Sequence, residues 1–311
     1  MSTRVRRCTS RRITCCAEVP VIYRKGQEPL IGVDELASRL TDDTLRIIDC
    51  RFDLMDPAAG RESYLAGHIP GAVYADLDTD LAAPVQTTTG RHPLPDDGVA
   101  TGTLRRLGVS RDTAVVVYDS AGGAMAARAW WWLRRLGHAN VRLLDGGLPC
   151  WQAAQMPLEE GEVDVDPGDF MPAPKDGFVL TTEEVLAGFE TGSELLLVDA
   201  RDAARFRGEV EPIDSVAGHI PGTRNLPFTE ALNGDGTFKR EAALQALWRE
   251  ILGDSKEIAW SAMCGSGVTA CHLAISALLA GYSEPSVYVG SWSEWIRDPG
   301  RPVAKGAALD T

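Results

Sequence analysis

The sequence predicts an α/β fold built from two tandem copies of one unit, each a mainly parallel sheet with helices on both faces. Three observations point there. At 311 residues the chain reaches the size at which one core usually gives way to two domains. Its composition, 44% hydrophobic and 24% charged, is that of packed globular domains rather than disorder. Short apolar runs alternate with helical patterns, and the whole order of signals occurs twice.

The duplication can be followed element by element. An apolar run ending in Asp-x-Arg spans Leu45–Arg51 and again Leu195–Arg201. Each is followed by Gly-His-Ile-Pro-Gly, at Gly67–Gly71 and Gly218–Gly222. A third strand-like run, Ala114–Tyr118, is matched with Glu257–Ser261; each leads through a small-residue loop into an apolar helix ending near Gly137 and Gly281. Both copies close on a Gly-rich turn and a Trp, Gly146-Gly147 to Trp151 and Gly290-Ser291 to Trp295. Helix-start signals open each copy: Gly32–Leu36, and Leu180–Val185, where Thr181 or Thr182 is the N-cap with a Glu in the first turn. The expected organisation is a disordered tail over 1–28, a first unit over 29–155, a Glu/Asp/Pro-rich linker over 156–175, a second unit over 176–301 and a tail over 302–311.

Charge and cysteine usage bound the function. A net charge of −13 argues against a nucleic-acid partner, which requires a basic face. Five arginines and no acid lie in residues 1–17, so the −13 of the whole becomes −18 once they are set aside. That Arg-rich stretch reads either as a transit-like organellar signal or as a disordered extension or a start codon placed too early; otherwise a cytoplasmic location is expected. Apolar stretches are too short and too interrupted for a membrane span. Seven cysteines, odd in number and uneven in spacing, suit a reducing compartment with one or two reactive thiols.

The copies diverge in the loop after the third run. The second carries Cys264-Gly265-Ser266-Gly267-Val268-Thr269; the first has Asp119 where Cys264 falls. Ligands bind at the carboxyl ends of such strands. Gly265 and Gly267 let the chain curl so that backbone N–H groups from Gly265 to Thr269 converge, and this nest with the following helix, expected from about Val268, favours an anionic sulfur. The competing reading is a buried, inert cysteine. Cys271, within the helix about two turns after Cys264, reads as core or as a secondary redox thiol. The repeated His-Ile-Pro-Gly reads as structural, because it recurs in both copies while the cysteine does not. A cysteine phosphatase would need Arg six residues after the nucleophile; Ala270 stands there. No Cys/His cluster has metal-ligand spacing, and no metal or cofactor is expected.

On these residues, with Trp292 and Trp295 downstream, the chain resembles the two-domain rhodanese family, and its cysteine loop is similar to that of the 3-mercaptopyruvate sulfurtransferase branch. The resemblance implies a non-catalytic first domain, a catalytic second domain and a site between them. It implies that Cys264 takes sulfur from 3-mercaptopyruvate as a persulfide, releases pyruvate and passes the sulfur to a thiol, cyanide or a thioredoxin-like acceptor. It further implies a relay of Cys264, Ser266 and Asp78, a pocket histidine His92, a cradle from Gly265 through Gly267, Val268 and Thr269, and Arg205 on the donor carboxylate, where a guanidinium fork meets two oxygens. One departure stands out. That branch carries a second Arg after Glu-Pro, and here Ile213 follows Glu211-Pro212. Thiosulfate-preferring members place basic residues in the cysteine loop, and this loop has none. Thiosulfate as donor and a persulfide-carrier role for a partner protein remain alternatives.

Overall fold

The computed structural model describes residues 28–191 and 195–307; the expectation for the N-terminal tail falls almost wholly outside them. In the first unit, β1 (Leu30–Ile31), β2 (Leu45–Asp49), β3 (Ala72–Tyr74), β4 (Ala114–Tyr118) and β5 (Val141–Leu144) form a parallel sheet in the order β1-β5-β4-β2-β3. The second unit repeats that order with β6 (Val179–Leu180), β7 (Leu197–Asp199), β8 (Arg224–Asn225), β9 (Ser261–Met263) and β10 (Ser286–Tyr288), as β6-β10-β9-β7-β8. Helices α1 (Val33–Ala37), α2 (Pro57–Ala66), α3 (Asp97–Arg106), α4 (Ala126–Arg135) and α5 (Gly147–Ala153) connect the first sheet. Helices α6 (Thr182–Thr191), α7 (Ala203–Phe206), α8 (Glu241–Leu252), α9 (Ala270–Leu279) and α10 (Ser291–Trp295) serve the second.

The units meet through α4 and α9. Residues Ala126–Leu133 and Ala270–Leu278 are buried without a break, as expected of helices apolar on every side. Trp130, Trp131 and Trp132 join Leu273, Ile275 and Trp248 in one core that runs through both units. Two polar side chains cross the seam in opposite senses. Arg128 of α4, fully buried, donates to Gly267 O at 3.1 Å, and His272 of α9 lies with Nε2 3.1 Å from Gly122 O.

Local signals resolve as follows. Thr181 and Glu184 form a reciprocal capping box, Glu184 N–H to Thr181 Oγ1 at 3.2 Å and Thr181 N–H to Glu184 Oε2 at 2.7 Å. The Asp-x-Arg pairs are buttresses: Arg51 bonds Asp49 and donates to Gly67 O at 2.8 Å, and Arg201 bonds Asp199 and donates to Gly218 O at 2.9 Å. His68 and His219 each place Nδ1 2.8 Å from a backbone carbonyl, of Tyr64 and Phe206, and stack on those rings. Two boundaries differ from expectation. The strand expected at Glu257–Ser261 is β9 at Ser261–Met263; Trp260 instead packs on Trp248, with ring centroids 4.7 Å apart. The helix after Cys264 starts at Ala270, not Val268, because Cys271 and His272 bond three residues back and hold Val268 and Thr269 in a turn. Residues 156–175 carry no helix, yet Gly168, Phe170 and Ala173 donate to Arg105, Val109 and Leu136, strapping the segment to the first unit.

Candidate active site

Cys264 follows β9 directly and is 2% exposed. Its Sγ accepts from Gly267 N–H at 3.1 Å and Ser266 N–H at 3.4 Å. Gly267 makes the curl: its φ is +76°, and a Cβ there would lie 2.5 Å from Val289 O. The loop is held from behind by the turn into α10. Trp292 N–H donates to Cys264 O at 3.1 Å, Ser293 N–H to Gly265 O at 2.9 Å, and Cys264 N–H to Ser291 Oγ at 3.1 Å. Val268 and Thr269 line the cavity in front of the sulfur without bonding it, and Gly265 serves as open floor rather than as a donor to sulfur. Cys271 is fully buried, its thiol pushed up to about 12 chiefly by burial, which disfavours its thiolate.

Ser266, His92 and Asp78 come together across the units. His92 Nδ1 is 2.7 Å from Ser266 Oγ, and Nε2 is 3.2 Å from Asp78 Oδ1, off the line of a hydrogen bond. His92, expected to line the pocket, thus stands between the Ser266 hydroxyl and the Asp78 carboxylate. Burial, then the charges of Arg128 and Arg91, bring His92 down to about 3, so the imidazole is neutral near neutral pH. In the neutral ring with its proton on Nε2, Nδ1 accepts from the Ser266 hydroxyl; with the proton on Nδ1 the direction reverses. Asp78 itself titrates above the usual carboxylate range, through burial and then the neighbouring Asp76.

The cavity over Cys264 measures about 260 Å³ and lies between the units, with Phe52, Leu77, His92 and Met125 from the first and Arg205, Ile213 and Phe228 from the second. Arg205 is present as expected and paired: Nη2 donates to Glu211 Oε1 at 2.8 Å and Asp214 Oδ2 at 3.1 Å. Three contributors escaped sequence reasoning. Arg91 enters the cavity from the first unit; its only signal was its place beside His92. Arg128, a lone charge within the run Ala126–Leu133, donates to His92 O and Gly267 O, both at 3.1 Å, and so ties relay to loop. Arg201 lines the cavity and stands over the Trp292 ring, 4.7 Å from its centroid. Among the described residues no group of His, Cys, Asp or Glu gathers as metal ligands, and no helix is long and apolar enough to cross a membrane.

A duplicated five-stranded parallel unit with a cysteine at the carboxyl end of the central strand, its sulfur accepting from the N–H groups of Ser266 and Gly267, defines a rhodanese-type protein. Residues 32–154 and 181–298 both match the rhodanese-like domain, and the chain belongs to that family. It is 48% identical over 279 residues, 89% of this chain and 98% of the other, to a protein of Pseudomonas aeruginosa described as a "Probable 3-mercaptopyruvate sulfurtransferase". It is 42% identical to a protein of Mycobacterium tuberculosis described provisionally as a thiosulfate sulfurtransferase, over 90% of this chain and 98% of the other. The solved structure of 3-mercaptopyruvate sulfurtransferase from Leishmania major superposes with a TM-score of 0.78 at 31% identity, covering 88% of this chain and 76% of that one.

Proposed function

We propose that this protein is a sulfurtransferase that draws sulfur from 3-mercaptopyruvate onto Cys264 and releases pyruvate. The observation that carries this is the junction of three parts at one cavity: the cradled Cys264 sulfur, the Ser266–His92 relay and the Arg205 guanidinium. Arg205 takes the donor carboxylate, sharing the guanidinium with Glu211 and Asp214, and directs the donor sulfur toward Cys264. The thiolate attacks that sulfur; an S–S bond forms, and the C–S electron pair leaves as pyruvate enolate. The proton from the donor thiol reaches the enolate carbon by way of the Ser266 hydroxyl, whose hydrogen bond to neutral His92 lets it take one proton as it gives another. The products are pyruvate and a Cys264 persulfide, whose negative terminal sulfur extends into the space lined by Val268 and Thr269. A thiol acceptor, small or thioredoxin-like, or cyanide then attacks that terminal sulfur and regenerates the thiolate.

The absence of a positive charge among residues 265–269 suits a monocarboxylate better than the thiosulfate dianion. The described cysteines, Cys50, Cys150, Cys264 and Cys271, are all free thiols, as a reducing cytoplasmic setting would keep them. The test is steady-state turnover of both donors with a thiol acceptor. A kcat/KM larger for 3-mercaptopyruvate by about tenfold or more, with pyruvate released in step with sulfide, supports the reading. A preference for thiosulfate transfers the same site to that donor; turnover of neither, with sulfur passed only to a partner protein, makes the chain a carrier.

A further inference from the structure

We infer, from Cys264 as the nucleophile proposed above, that Arg128 of the first unit is the buried countercharge of the anionic Cys264 sulfur and a positioning residue for its loop. Arg128 lies on α4 and is fully buried. Its hydrogen bonds go to backbone carbonyls. Nη1 donates to Gly267 O at 3.1 Å, and Nη2 to His92 O at 3.1 Å and Leu81 O at 3.5 Å. Nε has no hydrogen-bond partner among the described residues. A cation taken out of water without an opposite charge is costly, and carbonyl dipoles offset only part of that cost.

The other arginines around the cavity each have carboxylates. Arg91 pairs with Asp214, Arg201 with Asp199 and Glu211, and Arg205 with Glu211 and Asp214. Asp202, at the cavity rim, caps α7. Among the described residues Arg128 has no such partner, and the groups that oppose the lowering of its pKa by burial are the sulfurs of Cys271 and Cys264. Burial holds the Cys271 thiol up at about 12, so it supplies no charge near neutral pH. The Cys264 sulfur is the anion that remains. Gly267 connects the two, with its N–H on Sγ at 3.1 Å and its carbonyl on the guanidinium at 3.1 Å.

His92 is not a substitute for that cation. Its ring bonds Ser266, and burial, then the charge of Arg128, keeps it unprotonated. The thiolate is therefore not one half of a cysteine–imidazolium pair of the kind that activates other cysteine nucleophiles. Thiolate and persulfide each carry one negative charge, so Arg128 stays matched before and after sulfur transfer. The unit that lacks the cysteine thereby completes the charge of the unit that has it.

The test is alkylation of the full chain by iodoacetamide, a small uncharged probe of the thiolate. It is followed from about pH 5 to about pH 10, with the label located by peptide mass spectrometry. Arg128→Met keeps the length and removes the charge. It is expected to slow labelling of Cys264 near pH 7 by about tenfold or more and to raise the midpoint of the rate profile by about one pH unit or more. The limiting rate at high pH should change by less than about threefold, and Arg128→Lys should return the midpoint toward wild type. A purely structural role predicts a lower limiting rate with the midpoint unmoved. That outcome, an unchanged profile, or a label on Cys271 in place of Cys264 overturns the inference. Should Arg128→Met fail to fold, Cys264→Ser gives the reciprocal measurement, because the guanidinium then faces no ionisable group at 264. Wild type is expected to melt higher than Cys264→Ser by a margin that grows from about pH 5.5 to about pH 8.5; a margin independent of pH overturns the pairing. A shifted midpoint in Arg128→Met, with wild type turning over neither donor, keeps the countercharge and rejects the proposed donor chemistry.

Discussion

The two strand-end loops solve the same geometric problem with different anions. In the first unit Asp119 folds its carboxylate into the nest: Oδ1 accepts from Ala121 and Gly123 at 2.7 and 2.9 Å, and Oδ2 from Met125 and Ala126 at 2.7 and 2.8 Å. In the second, Cys264 places one sulfur there and engages two N–H groups at longer range. A carboxylate with two oxygens fills its nest by itself. A thiolate has one atom where the carboxylate has two, and the persulfide we propose supplies the second. The supporting turns differ in step. Gly147 packs so close that a Cβ would lie 2.3 Å from Asp119 O, whereas Ser291, at φ +52°, puts a hydroxyl on Cys264 N–H. The second unit accepts left-handed strain of about 1–3 kcal/mol at a non-glycine residue in return for a bond that orients the nucleophile.

Writing the first loop's residue into the second should have the largest effect. Cys264→Asp is expected to abolish sulfur transfer from either donor, a loss of at least about a thousandfold in kcat, in a protein that still folds; residual turnover would move the nucleophile elsewhere. The relay belongs only to the cysteine side, so His92→Ala is expected to lower kcat for 3-mercaptopyruvate by about a hundredfold or more, with smaller change in KM. If kcat persists, the Ser266 hydroxyl works without it. On the aspartate side the effect is on stability. Gly147→Ala should cost about 2–4 kcal/mol, read as a fall in the denaturation midpoint, because the Cβ meets Asp119 O; Ser291→Gly, its counterpart, should reduce turnover more than stability.

The smallest expected effect is on pH. His92 is held down to about 3 and His272 to about 4, in both cases first by burial. Both folded values lie below the ordinary histidine value of about 6.5, so the unfolded chain binds protons that the folded chain refuses. Their contribution to stability is complete above that ordinary value and is lost as pH falls toward 4. Melting temperature should therefore fall between pH 7 and pH 4.5, with a shallower slope in His92→Asn; an unchanged slope would remove His92 from that account.

What the sequence made legible was whatever is written locally and twice. Strands β2 and β4, the capping box at Thr181 and the Cys264 loop follow from apolar runs, side-chain caps and glycine placement. Long-range placement was not legible. Arg91 and Arg128 act through partners far along the chain, Asp214 and Gly267, and nothing local marks a cation that crosses a domain seam. The same limit hid the place of His92 between Ser266 and Asp78, since only the docking of the two units brings Ser266 to the imidazole. The shift from Glu257–Ser261 to Ser261–Met263 has a packing cause: Trp260 is committed to Trp248, and sheet pairing begins after it.

The most direct test is the site of sulfur attachment. Wild type and Cys271→Ser, treated with 3-mercaptopyruvate in the absence of acceptor and analysed by peptide mass spectrometry, should each gain one sulfur atom on the peptide containing Cys264, and lose it when a thiol is added. Sulfur found on Cys271 alone, or on no cysteine while pyruvate is still released, would contradict the cradled Cys264 persulfide.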